Sequence, residues 1–340
     1  MRILAFLIIS GMTIICYSAP EISPCLSMRY GFNYVDSHTP DDALNGRDYL
    51  SRVGVKLQQE LSNGWQSIGK VEYGDRSDNK VDIKQNEGLG VRQYYLGLSK
   101  GLHSVRAGSQ FLIWHKLVRS PYFSSGSDTL TQGTARDDDL IQYYYSSDDF
   151  KFASGIQAAG QDGDSFDQLQ LGGELAVLAA KIQWAISHDN NGPSRGNNLY
   201  GIRVTKPTKD LRYSVFYHHA DQGYDLYKGS NSGTVRVTEG EQSGNIRGVP
   251  DCDDQQRYSI GIFVAGAIGG SELKSRIAKE HCYDSGAVSS LKLEYIASIS
   301  KNYKIWISSE FLANDKRRRP ESSSMVSMSE YQIGLRWDIF

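Results

Sequence analysis

Along most of this chain apolar residues recur at every second position in runs of about ten, the period of an extended strand whose two faces meet different surroundings. In "LSMRYGFNY" Leu26, Met28, Tyr30, Phe32 and Tyr34 share one face, and Ser27, Arg29, Gly31 and Asn33 the other. In "DYLSRVGVKLQQEL" Tyr49, Val53, Val55 and Leu57 oppose Arg52, Gly54, Lys56, Gln58 and Glu60. "WQSIGKVEYGD" sets Lys70 and Glu72 against Val71 and Tyr73. The closing "SEYQIGLRWDIF" sets Tyr331, Ile333, Leu335, Trp337 and Ile339 against Gln332, Gly334, Arg336 and Asp338. In a soluble sheet the apolar face would meet a core; in a membrane barrel it would meet lipid, and the polar face a water-filled lumen.

The same rhythm predicts strands near 91–99, 103–111, 139–147, 150–160, 168–178, 180–189 and 198–206, then near 210–220, 255–265, 271–282, 288–300, 303–315 and 327–340. The total is sixteen, an even number, as a closed antiparallel bacterial barrel requires. Connections alternate in length: 62–64, 100–102, 147–149, 207–210 and 301–302 are short, whereas 35–46, 76–90, 112–138, 221–254 and 316–326 are long. A soluble sandwich has no reason to sort its loops onto two ends, whereas outer-membrane barrels have short periplasmic turns and long external loops. One stretch, "VRQYYLGLSKGLHSVRAGSQFLIW", alternates poorly. A strand pair covered outside by a neighbouring subunit and inside by a folded-in loop would lose its polar face in this way.

Composition agrees with strands and tight turns: Gly 34 and Tyr 21 against Pro 8. A formal net charge of −2 points to neither a nucleic-acid partner nor an acidic tail. The opening "MRILAFLIISGMTIICYSAPE" has one basic residue, an apolar run from Ile3 to Cys16 and then small residues. That is the pattern of a secretory signal peptide. It is shorter than the roughly 18 apolar residues a membrane-spanning helix needs. Residues 1–18 are therefore expected to be removed after Ser18, leaving 19–340 as one barrel domain. No later run is apolar enough to span as a helix. An exported, β-rich chain is either a secreted β-domain or an outer-membrane barrel, and the loop sorting favours the barrel.

Several segments resemble the general-diffusion porins of Gram-negative bacteria. "SRVGVKLQQELSNGW" (Ser51 to Trp65) resembles that family's second hairpin, and "RQYYLGLSKGLHSVRAGSQ" (Arg92 to Gln110) its fourth and fifth strands, where Gly97, Leu98 and Gly108 match. "MRYGF" resembles the first strand, and the last strand with Phe340 the signal by which such barrels are recognised for insertion. There Ile339, not Phe340, is in phase with Trp337. The resemblance implies a sixteen-stranded all-β transmembrane barrel in the outer membrane, a homotrimer in contact with lipid and lipopolysaccharide. Small hydrophilic solutes and ions would pass it by diffusion.

The resemblance also implies a long third loop, here 112–138, that folds into the lumen and narrows it. "SPYFSSGSD" is similar to the family's constriction segment and keeps Pro121, Phe123, Gly126 and Asp128, but Tyr122 stands where the family has an acidic residue. On the facing basic wall Arg52 matches, and Lys56 and Lys70 share its parity. The family's arginine after the fifth-strand glycine is missing, since Ser109 follows Gly108; Arg136 is a candidate for a further wall arginine. The expected pore lining is Arg52, Lys56, Lys70, Glu72, Arg92, His115, Lys116, Arg119, Asp128 and Arg136. Flow through such a neck is set by radius and lining charge, and no bond is broken. With the loop carboxylate absent, weak selectivity leaning toward anions is expected. In the competing reading the loop's basic residues only neutralise Asp137, Asp138 and Asp139.

Without the signal, Cys25, Cys252 and Cys282 remain. Cys252 and Cys282 are equidistant from Ala267, so a hairpin turning there would place them opposite each other, and an oxidising periplasm would join them. In the chain-entropy account such a bond contributes roughly 3 to 4 kcal/mol. Cys25 is left over at the opposite end of the barrel. His218, His219 and Asp221 evoke a hydrolytic dyad, yet a strand-end pair beside a loop is the commoner meaning of such residues. Asp162, Asp164 and Asp167 lack the rest of a calcium loop. "KRRRP" from Lys316 suits either lipopolysaccharide phosphates or a solubilising loop. No cofactor, metal or catalytic motif stands out. The alternatives to a porin are a barrel acting as adhesin or surface receptor through 221–254, and less so a barrel hydrolase.

Overall fold

The computed structural model describes residues 19–36, 43–49, 51–74, 90–119, 123, 135–158, 166–190, 195–222, 256–282, 286–315 and 327–339. Among them the strands are β1 (Glu21–Asp36), β2 (Ala43–Asp48), β3 (Arg52–Glu60), β4 (Gln66–Gly74), β5 (Gly90–Lys100), β6 (His103–Phe111), β7 (Arg136–Ser146), β8 (Phe150–Gln157) and β9 (Gln168–Val177). They continue with β10 (Ala180–Asp189), β11 (Asn198–Pro207), β12 (Leu211–Ala220), β13 (Arg257–Ile268), β14 (Ser271–Cys282), β15 (Gly286–Ser298), β16 (Tyr303–Asp315) and β17 (Ser327–Ile339). A short helix, α1 (Ile113–Leu117), follows β6.

Every neighbouring pair is antiparallel, and β1 closes the sheet by pairing with β17 on one side and with β2 and β3 on the other. β2 lies opposite Tyr30–Val35 and β3 opposite Glu21–Ser27, so the two are pieces of one interrupted barrel strand. The barrel therefore has sixteen strands, as the alternation predicts. The predicted unbroken strand over 48–61 is corrected: the chain leaves the ladder after Asp48, whose carboxylate accepts the Ser51 N–H at 2.6 Å, and rejoins it at Arg52. The first long connection shrinks to 37–42, because β1 runs on to Asp36 and β2 begins at Ala43.

The alternation is physical. Met28, Tyr30 and Phe32 on β1 and Ile333, Leu335 and Trp337 on β17 are exposed on the outside, while Arg29, Asn33, Gln332 and Asp338 between them are buried on the inside. An apolar outer face with buried polar side chains within inverts the plan of a soluble protein and suits a hydrocarbon surround. Aromatic pairs mark both ends of that surface: Tyr34 stacks with Tyr331 at 6.5 Å toward the long loops, and Tyr303 meets Trp337 at 6.4 Å toward the short turns. Such girdles sit at membrane interfaces. Among the described residues no helix is long and apolar enough to cross a membrane.

The poorly alternating stretch, which forms β5, β6 and the start of α1, is bordered by two local irregularities. The register shifts between Glu72 and Tyr73 against β5, and between Gly108 and Gln110 against β7, where Asp139 takes a positive φ of 52°. Each β-bulge advances the side-chain phase by one residue. The β13–β14 hairpin also turns later than expected, at Gly269–Gly270, whose φ values of 56° and 83° fit a tight two-residue turn. Its register sets Arg257, not Cys252, opposite Cys282. Cys252 lies outside the described residues, and of Cys282 only the backbone is described.

Candidate functional site

The inner face of β3 and β4 carries the basic wall. Arg52, Lys56, Lys70 and Glu72 share the inward parity, with Lys56 opposite Lys70 and Gly54 opposite Glu72. Glu72 is the acid of this patch: Lys70 Nζ stands 2.7 Å from it, Arg92 Nε donates to Oε1 at 3.2 Å, and Gln93 Nε2 donates to the same oxygen at 3.2 Å. Strict alternation from the outward Tyr94 would turn Arg92 to lipid. The bulge at Glu72/Tyr73 instead brings both Arg92 and Gln93 inside, where they are buried.

On β6 the inward arginine is Arg106, which the sequence reading did not single out. Its guanidinium lies 5.4 Å from the Tyr95 ring and 5.1 Å from that of Tyr144, so it is flanked by aromatic faces on both neighbouring strands. It shares the parity of Gly108 and lies three residues upstream of Ser109, the position where the family's arginine is missing. That in-phase spacing was the available signal.

The chain then turns inward. α1 rests on the inner faces of β8 to β12, where Ala153, Gly172, Ala185 and Gly201 face one another in one row across four strands. A Cβ at Gly172 would meet Leu117 at 2.6 Å, and one at Gly201 would meet Trp114 at 2.6 Å, so this row is small because the helix occupies the space. Leu112, Trp114 and Val118 form a buried cluster with Leu140, Ala185, Leu199 and Ala220. The polar groups of the segment are also held by the wall. The Ile113 N–H donates to Gln170 Oε1 at 2.8 Å, His218 Nε2 donates to Val118 O at 2.8 Å, and Arg203 Nη1 donates to Arg119 O at 2.7 Å.

The expected lining residues of this segment are thus only partly free to face solute. His115 stacks flat on Phe111 at 4.5 Å and accepts from Arg119 at its Nδ1 at 3.0 Å; burial foremost, then the Arg119 charge, holds its pKa well below the usual histidine range. Lys116 donates to the Tyr144 hydroxyl, which donates on to Gln142. Burial, with Arg106 and Lys70 adding repulsion, brings the Lys116 ammonium down to about 7. Arg136 is buried with its guanidinium 5.3 Å from the Phe111 ring. Asp128 lies outside the described residues, as do 120–122 and 124–134 around Phe123.

Phe123 reaches the far wall. It lies edge-on to Phe263 of β13 at 5.8 Å, and over Arg276 of β14 and Lys292 of β15 at 5.5 and 5.1 Å. Burying such a ring is worth roughly 1.5–3 kcal/mol, and a desolvated cation on its face about 2 kcal/mol more. Both cations share Glu310 of β16: Arg276 Nη2 donates to Oε1 at 3.0 Å and Lys292 Nζ stands 3.2 Å from Oε2, while Ser290 Oγ donates to Oε1 at 2.8 Å.

The other polar clusters are structural. His218 holds the root of the inward segment, and its ring meets Trp114 edge-on at 4.9 Å. His219 stands 3.5 Å from Asp221, whose other oxygen accepts from Asn198 at 2.8 Å, closing the rim of β11 and β12. Among the described residues no group of His, Cys, Asp or Glu could hold a metal ion. Asp162, Asp164, Lys316 to Arg319 and most of 221–254 lie outside the described residues.

Residues 26–156 match the sequence family of the Gram-negative porins. No curated protein matches the chain by sequence. Among solved structures the chain is similar to OmpF of Salmonella typhi in complex with daunomycin, at 12% identity, a TM-score of 0.69, and 96% of this chain over 100% of that one. OmpT, an outer membrane protein of Vibrio cholerae folded in vitro, gives 13% identity and 0.66, over 96% and 100% of the two chains. The outer membrane channel DcaP of Acinetobacter baumannii gives 13% and 0.65, over 95% and 98%. At these identities the likeness is one of fold.

Proposed function

We infer that this chain, which matches the Gram-negative porins over residues 26–156, is an outer-membrane porin, a water-filled channel for passive diffusion of small hydrophilic solutes and ions. The observation that carries it is the closed sixteen-strand barrel with an apolar outer face and a charged inner one. No bond is broken in this activity, and the chain is no enzyme in this reading. The third connection, whose root at Leu112–Arg119 is seated on the inner wall, continues to Phe123 and narrows the lumen. The neck then lies between the basic wall of Arg52, Lys56, Lys70, Arg92 and Arg106 and the loop. Charges lining a narrow aqueous neck act more strongly than in bulk, and among the described residues of this wall the basic ones outnumber the carboxylates of Glu60 and Glu72. Weak anion selectivity follows.

The assembly proposed is a homotrimer, as in the trimer form of the Vibrio cholerae OmpT, with lipid and lipopolysaccharide around it. Residues 1–18 act as signal peptide, and Cys252 bonds to Cys282. Planar-bilayer recording of the detergent-purified barrel under a potassium chloride gradient tests the reading. Steps closing in threes with an anion-directed reversal potential are expected. A folded barrel that never conducts would sink the porin reading, and strong cation preference would sink the proposed selectivity.

A further inference from the structure

The outer wall is not uniform. From β10 to β13 its middle is large and apolar, as at Trp184, Ile202, Val215 and Ile262. From β14 to β16 three serines interrupt it: Ser275, Ser289 and Ser309 share the outward parity of Ile277, Leu291 and Ile307. A groove of about 530 Å³ crosses this sector from β14 to β2, with Phe32, Tyr34, Leu293, Tyr295, Ser309 and Tyr331 in its lining. Charges of opposite sign stand at the two edges of the sector. Lys279 on β14 shares the outward parity of Ile277 and is exposed, with no partner among the described residues. Asp48 on β2 lies opposite the outward Tyr30, and its Oδ1 accepts the Ser51 N–H at 2.6 Å. A charge on the outer face of a membrane barrel is disfavoured by lipid, increasingly so away from the interfaces.

The two edges stand at similar heights. The ladder Leu273–Tyr295–Ile307–Ile333–Phe32–Gly46 crosses the sector at right angles to the strands, from beside the short turn of β14 to the long-loop part of β2. Five strand steps of about 4.8 Å, inclined at about 40°, climb roughly 15 Å, the height of about six residues. Six residues beyond Leu273 is Lys279, and Asp48 lies two residues from Gly46. We propose that the β14–β2 sector is the contact surface between copies of this chain, with Lys279 of one copy paired to Asp48 of the next. A closed ring of identical subunits sets two different patches against each other, head to tail. Opposite charges at opposite edges of one sector serve that arrangement. Tyrosine and phenylalanine, which line the groove between them, are enriched at such contacts. The inference rests on the homotrimer proposed above and names its surface.

A zero-length carbodiimide tests it on the full-length barrel extracted in mild detergent. The reagent condenses the Lys279 amine with the Asp48 carboxyl into an amide and takes up the released water as a urea. Within one chain the two sites are roughly 24 Å apart along the wall, so this link forms only between copies. Bands at two and three chain masses and a linked Lys279–Asp48 peptide are expected in the wild type, and the peptide is lost in Lys279→Met. A folded barrel that stays single, or an assembly cross-linked without this peptide, would overturn the proposal. The second measurement is the temperature at which the assembly dissociates on a gel. Lys279→Met and Asp48→Asn, which keeps an acceptor for the Ser51 N–H, should each lower it by several degrees, and the double variant no further than either. Additive shifts, or a shift from Lys279→Met alone, would overturn the pairing and assign Lys279 to a lipid phosphate. Conductance of each copy persists in these variants, so loss of the contact is distinguished from failure of the porin reading.

Discussion

Two parts of the inner surface use the same residue types to opposite ends. On β3 and β4, Arg52, Lys56 and Lys70 line one face with Glu72 as counter-charge, and Lys56 stays exposed. On β14 to β16, Lys274, Arg276 and Lys292 are matched by Glu294 and Glu310, and the whole group is buried. Parity is the same, inward in both. What differs is exposure: Lys56 is open on the inner face, whereas Phe123 packs against Arg276 and Lys292. A lumen-facing charge acts on solute only when nothing is packed against it; otherwise it acts on stability, because its desolvation must be offset by a partner.

The contrast is sharpest in removal of a charge. Glu310→Gln takes from the buried Arg276 and Lys292 the carboxylate they share, and a broken buried pair costs roughly 3–5 kcal/mol. Equilibrium unfolding in denaturant should show this loss; a change below about 1 kcal/mol would erase the distinction between the two walls. The double variant Arg52→Gln, Lys56→Gln should do the reverse. Its reversal potential moves clearly toward cations, while stability stays within about 0.5 kcal/mol per site, as for surface substitutions.

Arg106→Gln is expected to shift selectivity less than that double variant, since its guanidinium is partly enclosed by Tyr95 and Tyr144. The same bilayer recording reads it. The smallest effect belongs to pH. Lys116 is protonated below about 7 and neutral above it, so raising the pH through that value removes one positive charge and moves the reversal potential slightly toward cations. Lys116→Met should abolish that step. The free side chain keeps its proton to about 10.4, so between the two values the unfolded chain holds more protons and the folded barrel gains stability as pH rises.

The strands were legible because a period of two is a local property, and β9 to β12 and β14 to β16 fall within two residues of where the alternation sets them. Arg52, Lys56, Lys70 and Glu72 were legible for the same reason. Alternation failed at Arg92, where a bulge inverts the phase, and at Tyr49, which leaves the ladder to meet Trp306 edge-on inside at 5.4 Å. Bulges depend on the register of a partner strand that a single segment does not contain. The turn of the β13–β14 hairpin was misplaced for a related reason: equal spacing of the cysteines about Ala267 counts residues, whereas the hairpin turns at its glycine pair.

By itself the sequence determined the barrel, its sixteen strands, which side chains face inward away from the bulges, and the cations of the β3–β4 wall. All of these follow from alternation and from the kind of residue at each step. Only the tertiary structure decided which inward charges remain available to solute. That outcome depends on α1 seating in a row of glycines and alanines drawn from four strands, and on Phe123 reaching a wall more than 130 residues away in the chain. No local pattern encodes such a contact, because closing the barrel is what brings its two sides within reach.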